Sequence, residues 1–257
     1  MIDFVLAKEQ FLSYTSHYDN QNGRIHLKII HTLKVVDLCE MIAKELGFSR
    51  EDTLLAMLIG LLHDIGRFEQ VRIYNTFRDA ASIDHAELGR KILFDDGLIR
   101  KFIISSEYDS IIQKAVSNHN KYAIEEGLSP REFLFCQLIR DADKADIFRV
   151  ICEDTFQNTC MTEIQDPYTD TISDTVYENF MTEKSLHWSI MRTPLDAVIA
   201  HLALIFDFNF KPGLKYIDEN QFLPFIFDKI NCSDDFTNQR WNNIKERVSN
   251  YLVQKLK

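Results

Sequence analysis

The sequence is poor in the two residues that most often interrupt helices. It contains 8 glycines and 5 prolines among 257 residues, so turns are few and the segments between them are long. Hydrophobic residues make up 46% of the chain, which is enough for a sizeable core and excludes an intrinsically disordered protein. We therefore predict an all-α fold.

Features of membrane and exported proteins are also missing. No apolar run approaches the roughly 20 residues that a membrane-spanning helix needs. The segment 1–4 is not a basic region followed by a long apolar stretch, as a signal peptide would have. The five cysteines are scattered without C-x-x-C spacing, which is typical of reduced cytosolic proteins. We expect a cytoplasmic protein with no membrane partner.

An excess of positive charge is absent as well. The chain has 29 lysines and arginines against 39 aspartates and glutamates, for a net charge of −10. Such a surface repels nucleic-acid backbones, and no stripe of basic residues offsets it. We expect no nucleic-acid polymer as a partner, whereas a local cationic site can still draw a small phosphorylated substrate. The sequence leaves the oligomeric state open and is compatible with a homo-oligomer.

The most informative residues present are the adjacent pair His63 and Asp64. They close the apolar run 54–62, which predicts a buried helix. A carboxylate is costly to bury unless it is paired or binds a metal ion. An imidazole and a carboxylate at the inner end of a buried helix suit a divalent cation, which neutralises the acid and takes the ring nitrogen as a ligand.

Four further residues of the same chemical types follow an ordered series around this pair. Each lies in or beside a segment with helical apolar spacing. Taken singly, each also has an ordinary structural interpretation, such as a surface histidine, a residue at a helix end or part of a solvated charge cluster. They are His31, His85, His119 and Asp143.

The ordered pattern resembles the HD-domain superfamily of metal-dependent phosphohydrolases over roughly residues 22–150. The segment 62–67, with the sequence LHDIGR, is close to the family form HD-x-G-K/R. The segment 141–144, with the sequence DADK, is close to the distal form Asp-x-Asp-Lys/Arg. The added histidines His85 and His119, with Gly89 between them, resemble the binuclear members of the family.

This resemblance implies a set of metal ligands and two metal ions. Asp64 can bridge both ions, because a carboxylate has two oxygens. Three residues then complete the first site, and two histidines complete the second. Mixed nitrogen and oxygen ligands suit Mn, Fe, Co or Zn, whereas an all-oxygen site would favour Mg or Ca. The sequence leaves the identity open among Mn, Fe, Co, Ni, Zn and Mg. The implied ligands are His31, His63 and Asp143 for one ion, His85 and His119 for the other, and Asp64 for both.

The resemblance also implies a reaction. We expect a hydrolase of phosphate ester bonds, acting on a small ester such as a nucleotide through attack of a metal-bound hydroxide on phosphorus. The expected catalytic residues are Asp64, Arg67 and Lys144, with the two cations contacting phosphate oxygens. The alternative for these cations is a structural salt bridge to a local acid such as Glu69 or Asp141.

Three other functions stay open at this stage. A di-iron HD-type scaffold can run oxygenase chemistry, as in the similar inositol and phosphonate oxygenases. The domain could instead be a non-catalytic module that senses a metal or ligand. A cyclic-dinucleotide phosphodiesterase is disfavoured, because the Gly-Tyr-Pro motif is missing and asparagines flank His119.

The organisation along the chain follows from these motifs. We predict a single all-helical domain over residues 1–257, with an HD core at about 22–155 and a C-terminal helical extension at about 156–257. The segment 67–82 lacks clear periodicity and is predicted to be a loop over the site. Loops on a rigid scaffold often carry substrate contacts.

Overall fold

A computed structural model describes residues 2–153, 171–232 and 234–257 of the chain. Helices dominate these ranges, and no strand occurs within them, which confirms the all-α prediction. None of the described helices is long and apolar enough to cross a membrane. The helices are α1 Phe4–Thr15, α2 Gly23–Glu45, α3 Arg50–Leu62, α4 Ile65–Tyr74, α5 His85–Arg90, α6 Ile99–Phe102, α7 Asp109–Asn118, α8 Pro130–Glu153, α9 Asp174–Phe180, α10 Pro194–Ala203, α11 Lys211–Glu219, α12 Phe222–Lys229 and α13 Asp235–Leu256.

Local capping signals set the ends of the helices that matter for the site. The side chain of Ser49 accepts a hydrogen bond from the backbone nitrogen of Asp52 at 3.0 Å and starts α3. Asp84 starts α5 by accepting from the first free amides of that helix. Gly47, with a φ of +74°, follows α2 in the left-handed conformation that glycine adopts most easily. These caps fix where the predicted ligands fall on their helices.

The predicted loop over residues 67–82 is wrong for its first half, since α4 continues to Tyr74. Its apolar stripe is short because the inward face also carries a polar residue, Gln70, which is fully buried. The Gln70 amide donates to Asp79 Oδ1 at 2.8 Å and to the carbonyl of Ile83 at 3.0 Å. The loop therefore spans only 75–84, and Gln70 ties it back to α4.

The chain divides into two compact units, Met1–Asp146 and Ile147–Lys257. The division falls inside α8, close to the predicted end of the HD core. The predicted boundary near residue 155 lies outside the described residues, and the single-domain organisation stays a prediction.

The second unit has an apolar core of its own. The core includes Phe180, Val198 and Trp241, each almost completely buried. A capping box between Thr193 and Asp196 opens α10, which satisfies otherwise unpaired amides at that helix end. The C-terminal extension is therefore helical in its described part, as predicted.

Candidate metal centre

The six predicted ligands lie together in the first unit, although six separate helices or their ends supply them. His31 lies within α2 and Asp143 within α8, whereas the others lie at helix ends. His63 follows α3, His85 opens α5 and His119 follows α7. All four imidazoles are buried, with at most 4% of each residue exposed. The imidazole donor atoms are thus largely shielded from solvent.

Asp64 lies at the centre of the cluster, at the start of α4. Its Oδ2 atom lies 3.7 Å from Nε2 of His31 and 3.6 Å from Nε2 of His63. Its Oδ1 atom lies 3.4 Å from Nε2 of His85 and 3.5 Å from Nε2 of His119. These distances are too long for good hydrogen bonds. Each carboxylate oxygen thus faces its own pair of imidazole nitrogens.

Asp143 joins the first of these pairs. Its Oδ1 atom lies 3.0 Å from Nε2 of His31 and 3.7 Å from Nε2 of His63. Its side chain is 17% exposed, compared with 3% for that of Asp64. Asp143 therefore lies on the more open side of the cluster. Asp143 and the Oδ2 atom of Asp64 therefore lie beside the same two histidines, His31 and His63.

In each of the four clustered histidines, the outer ring nitrogen, Nδ1, has an oxygen partner. Because oxygen atoms of carbonyls and carboxylates accept hydrogen bonds, each Nδ1 carries a proton and donates it. Hydrogen bonds of this kind orient imidazoles that bind metal ions, and they direct Nε2 into the cluster. The Nδ1 partners are Asp146 Oδ2 at 2.7 Å for His31, the Gly60 carbonyl at 2.8 Å for His63, Asp79 Oδ2 at 2.6 Å for His85, and the Val116 carbonyl at 2.7 Å for His119.

The inner nitrogens fit a divalent ion. Nε2 of His63 is buried without a hydrogen-bond partner among the described residues. Nε2 of His85 and Nε2 of His119 lie 3.0 Å apart. Nitrogen ligands about 2.1 Å from one ion lie roughly 3 Å apart when their bonds are at right angles. These two nitrogens are therefore spaced as two ligands of one ion would be.

Nearby charges and burial keep the carboxylate of Asp64 and the imidazoles of His63 and His85 in the protonation states that bind metal. Burial alone raises the pKa of Asp64, but the charges of Lys28 and Arg67 help to hold it well below its usual range. Burial lowers the pKa of His63 to about 4 and that of His85 to about 4. At neutral pH the carboxylate is thus ionised and these two imidazoles are neutral, as ligation requires.

His31 differs from the other imidazoles. Burial and the charge of Lys28 lower its pKa, but hydrogen bonds with Asp143 and Asp146 outweigh them and raise it above the ordinary value. The ring of His31 lies between two carboxylates, with Nε2 3.0 Å from Asp143 Oδ1 and Nδ1 2.7 Å from Asp146 Oδ2. A divalent cation beside Nε2 would find both a nitrogen and an oxygen ligand there.

Comparison with known proteins agrees with this geometry. Residues 29–148 match the sequence model of the HD domain family. The chain contains an HD domain. The matched range includes all six predicted ligands, and HD domains are mostly metal-dependent hydrolases. No curated protein and no solved structure matches the chain.

Sequence analysis missed two carboxylates of the HD domain. Both accept hydrogen bonds from the outer ring nitrogens of ligand histidines. Asp79 accepts from Nδ1 of His85, and Asp146 accepts from Nδ1 of His31. Asp146 follows Asp143 by three residues, a spacing that puts both on one face of a helix, so a sequence signal existed. Asp79 lies in the loop 75–84, and no spacing rule connects it to His85.

Arg67 lies beside the centre, as predicted, but one nitrogen of its guanidinium, Nη1, is already bound. Nη1 donates to the carbonyl of Phe77 at 2.6 Å and to Asp79 Oδ1 at 2.9 Å. Nε lies 3.6 Å from Asp64 Oδ1 and is buried without a hydrogen-bond partner in the described part of the chain. Glu69, the alternative partner considered above, pairs with Arg72 instead. Arg67 therefore links the loop to the metal centre.

Lys144, the second predicted cation, follows Asp143 directly on α8. Only 6% of the residue is exposed. Its position next to a predicted ligand places it near the site, and its contact with phosphate stays a prediction.

A glycine sets the distance between α4 and α5. A Cβ atom on Gly66 would lie 2.3 Å from the carbonyl oxygen of His85 and 2.6 Å from the nitrogen of Gly89. These are backbone atoms, so they cannot move without moving the helix that carries His85. The glycine two residues after Asp64 is thus required by close helix packing at the site.

We expect Gly66→Ala to destabilise the HD domain by about 1–3 kcal/mol, the usual effect of overpacking. The added methyl group would push α5 outward and move His85 away from Asp64. Metal affinity should therefore fall in addition to the melting temperature. Thermal unfolding with and without Mn²⁺ measures both effects.

Gly23→Ala is the matched control, because nothing lies within 4 Å of a Cβ atom at Gly23. That variant should keep the wild-type melting temperature and metal affinity. A Gly66→Ala protein with wild-type values for both would show that α4 and α5 do not need this close contact.

Proposed function

We propose that the HD domain is a binuclear metal-dependent phosphohydrolase that acts on a small phosphate ester such as a nucleotide. The observation that carries the proposal is the division of four inward-facing nitrogens between the two oxygens of Asp64. A carboxylate placed in this way can bridge two ions. A single ion would leave one imidazole pair and one oxygen without a role.

The residues present would hold the two ions in two groups. His31, His63 and Asp143 would bind one ion, and the pair formed by His85 and His119 would bind the other. Asp64 would be shared. Two divalent ions held there would supply a water nucleophile of lowered pKa and would neutralise charge on the phosphoryl group.

The protein's own contribution to the reaction then comes from charged side chains that are held in fixed positions. Arg67 is held by the loop and by Asp79, so its unpaired Nε edge has a fixed direction toward the centre. A guanidinium held in this way is suited to a phosphate oxygen. We assign the same role to Lys144. Asp79 and Asp146 act as positioning residues, because they fix the orientation and tautomer of their histidines.

The choice of a small substrate rests on charge and burial. A chain of net charge −10 repels nucleic-acid polymers, and the centre is closed on most sides by helices. The described cysteines, Cys39, Cys136, Cys152 and Cys232, are free thiols. Free thiols support a location in the reducing cytoplasm.

Metal analysis followed by a substrate panel tests this function. Protein purified with and without oxygen should contain two metal equivalents. It should release phosphate from one class of nucleotide or simple ester with Mn, Co, Fe, Ni or Mg, and a monoester and a diester of the same phenol separate the two ester types. Protein stripped with a chelator is the control. Fully loaded protein that hydrolyses no ester under any metal would contradict the proposal.

A di-iron oxygenase is the second candidate. The mixed set of imidazole and carboxylate donors also suits iron. In that case, activity would require iron and oxygen together and would disappear under anaerobic conditions. Metal binding without any turnover would instead indicate a sensing module.

A further inference from the structure

Lys28 lies in the centre although no motif includes it. It is one helical turn before His31 on α2, and only 16% of its side chain is exposed. Its Nζ atom lies 2.6 Å from Oδ2 of Asp64 and 5.4 Å from the centre of the Phe77 ring. Asp64 is the one hydrogen-bond acceptor of Lys28 within the described ranges.

The oxygen that Lys28 contacts is the one that faces the first pair of histidines. Nζ cannot itself be a metal ligand while it is protonated. A divalent ion bound to Oδ2, between His31 and His63, would lie within a few ångströms of the ammonium and would be repelled by it. The ammonium and the ion therefore compete for the same carboxylate oxygen.

The displaced ammonium would still lie beside the site. The lysine side chain is a flexible four-carbon chain that ends in a compact charge, and this charge can be bound from many directions. Part of the side chain is exposed to solvent. The Phe77 ring offers a cation–π surface next to its present position. By contrast, Nη1 of Arg67 already donates to three acceptors. Lys28 is thus the cation that metal binding would release for a substrate.

We propose that Lys28 is a phosphate-binding residue that is held on Asp64 until a metal ion displaces it. This inference rests on the proposed function, because it presumes a metal ion at the first site and a phosphate group beside it. It adds a residue to that site and predicts that metal affinity and phosphate affinity respond to Lys28 in opposite directions.

The test compares Lys28→Met with wild type in two binding experiments. Calorimetry with Mn²⁺ should give a dissociation constant that is lower by about tenfold or more, because a competing charge has been removed. Titration of the Mn²⁺-loaded protein with inorganic phosphate should give affinity that is weaker by about tenfold or more, since a charge-assisted hydrogen bond is lost. Lys28→Arg keeps the charge and should stay near wild type for Mn²⁺.

Lys44→Met is the matched control. Lys44 lies on the same helix, 16 residues farther along, and forms an exposed pair with Glu40. Its loss should change neither affinity. Should Lys28→Met fail to fold, Lys28→Gln carries the same comparison with a polar side chain.

The outcomes separate the two proposals. Wild-type protein that binds no Mn²⁺ would overturn the metal centre and this inference together. Wild-type protein that binds Mn²⁺, with Lys28→Met identical to it in both titrations, would overturn the inference alone. Tighter Mn²⁺ binding with unchanged phosphate affinity would overturn the phosphate role of Lys28.

Discussion

Asp64→Asn should bind neither metal ion at the wild-type level and should lose hydrolysis by at least about 1,000-fold in kcat/KM, which corresponds to several kcal/mol of lost metal stabilisation. Asparagine keeps the size of the side chain but replaces one oxygen with an amide nitrogen. The residue could no longer face both imidazole pairs with acceptor oxygens. It would also leave Lys28 and Arg67 without their shared counter-charge. Elemental analysis of the purified variant measures the metal content.

Asp95→Asn is the matched control for this change. Asp95 is an aspartate on the surface whose carboxylate pairs with Arg90, so its loss should leave metal content and activity unchanged. An Asp64→Asn protein with stoichiometric metal would show that Asp64 is not a shared ligand. The central assignment of the site would then be wrong.

The ends of helices explain why so much of this site could be predicted. His63, His85 and His119 all lie where a helix begins or ends, and the cap residue Asp84 marks in the sequence the end that carries His85. Local signals of this kind depend on neighbouring residues alone. Family resemblance then supplied what local signals cannot, namely that these separate ends meet at one point.

The residues that escaped prediction depend on contacts between distant parts of the chain. Asp79 reaches His85 because Gln70 and Arg67 hold the loop 75–84, and none of these bonds follows from sequence spacing. The same bonds explain the wrong loop prediction over 67–82, since an inward face with Gln70 on it does not look amphipathic. Because a buried polar network takes the place of apolar side chains on its inward face, α4 could not be predicted from the spacing of apolar residues.

The position of Lys28 in the sequence carries a signal from which its place in the site could have been predicted. It shares a helical face with His31 and the fully buried Val35, at spacings of three and seven residues. A lysine on an inward face is unusual unless it is paired. That position alone indicates a carboxylate partner inside the domain, although it does not say which one.

His85→Ala combined with His119→Ala should remove one metal equivalent and keep the other. These two histidines face Oδ1 of Asp64, and their Nε2 atoms lie 3.0 Å apart. His31, His63 and Asp143 remain around Oδ2, so the first ion keeps its ligands. Metal analysis of the double variant, loaded in excess Mn²⁺ and then desalted, gives the stoichiometry.

Surface histidines provide the control for that double variant. His17 and His187 are both exposed, and replacing both with alanine should leave two equivalents bound. A double variant at positions 85 and 119 that retains both ions would exclude these histidines as ligands. A wild-type protein that never exceeds one equivalent, under any metal supplied, would exclude the second ion itself.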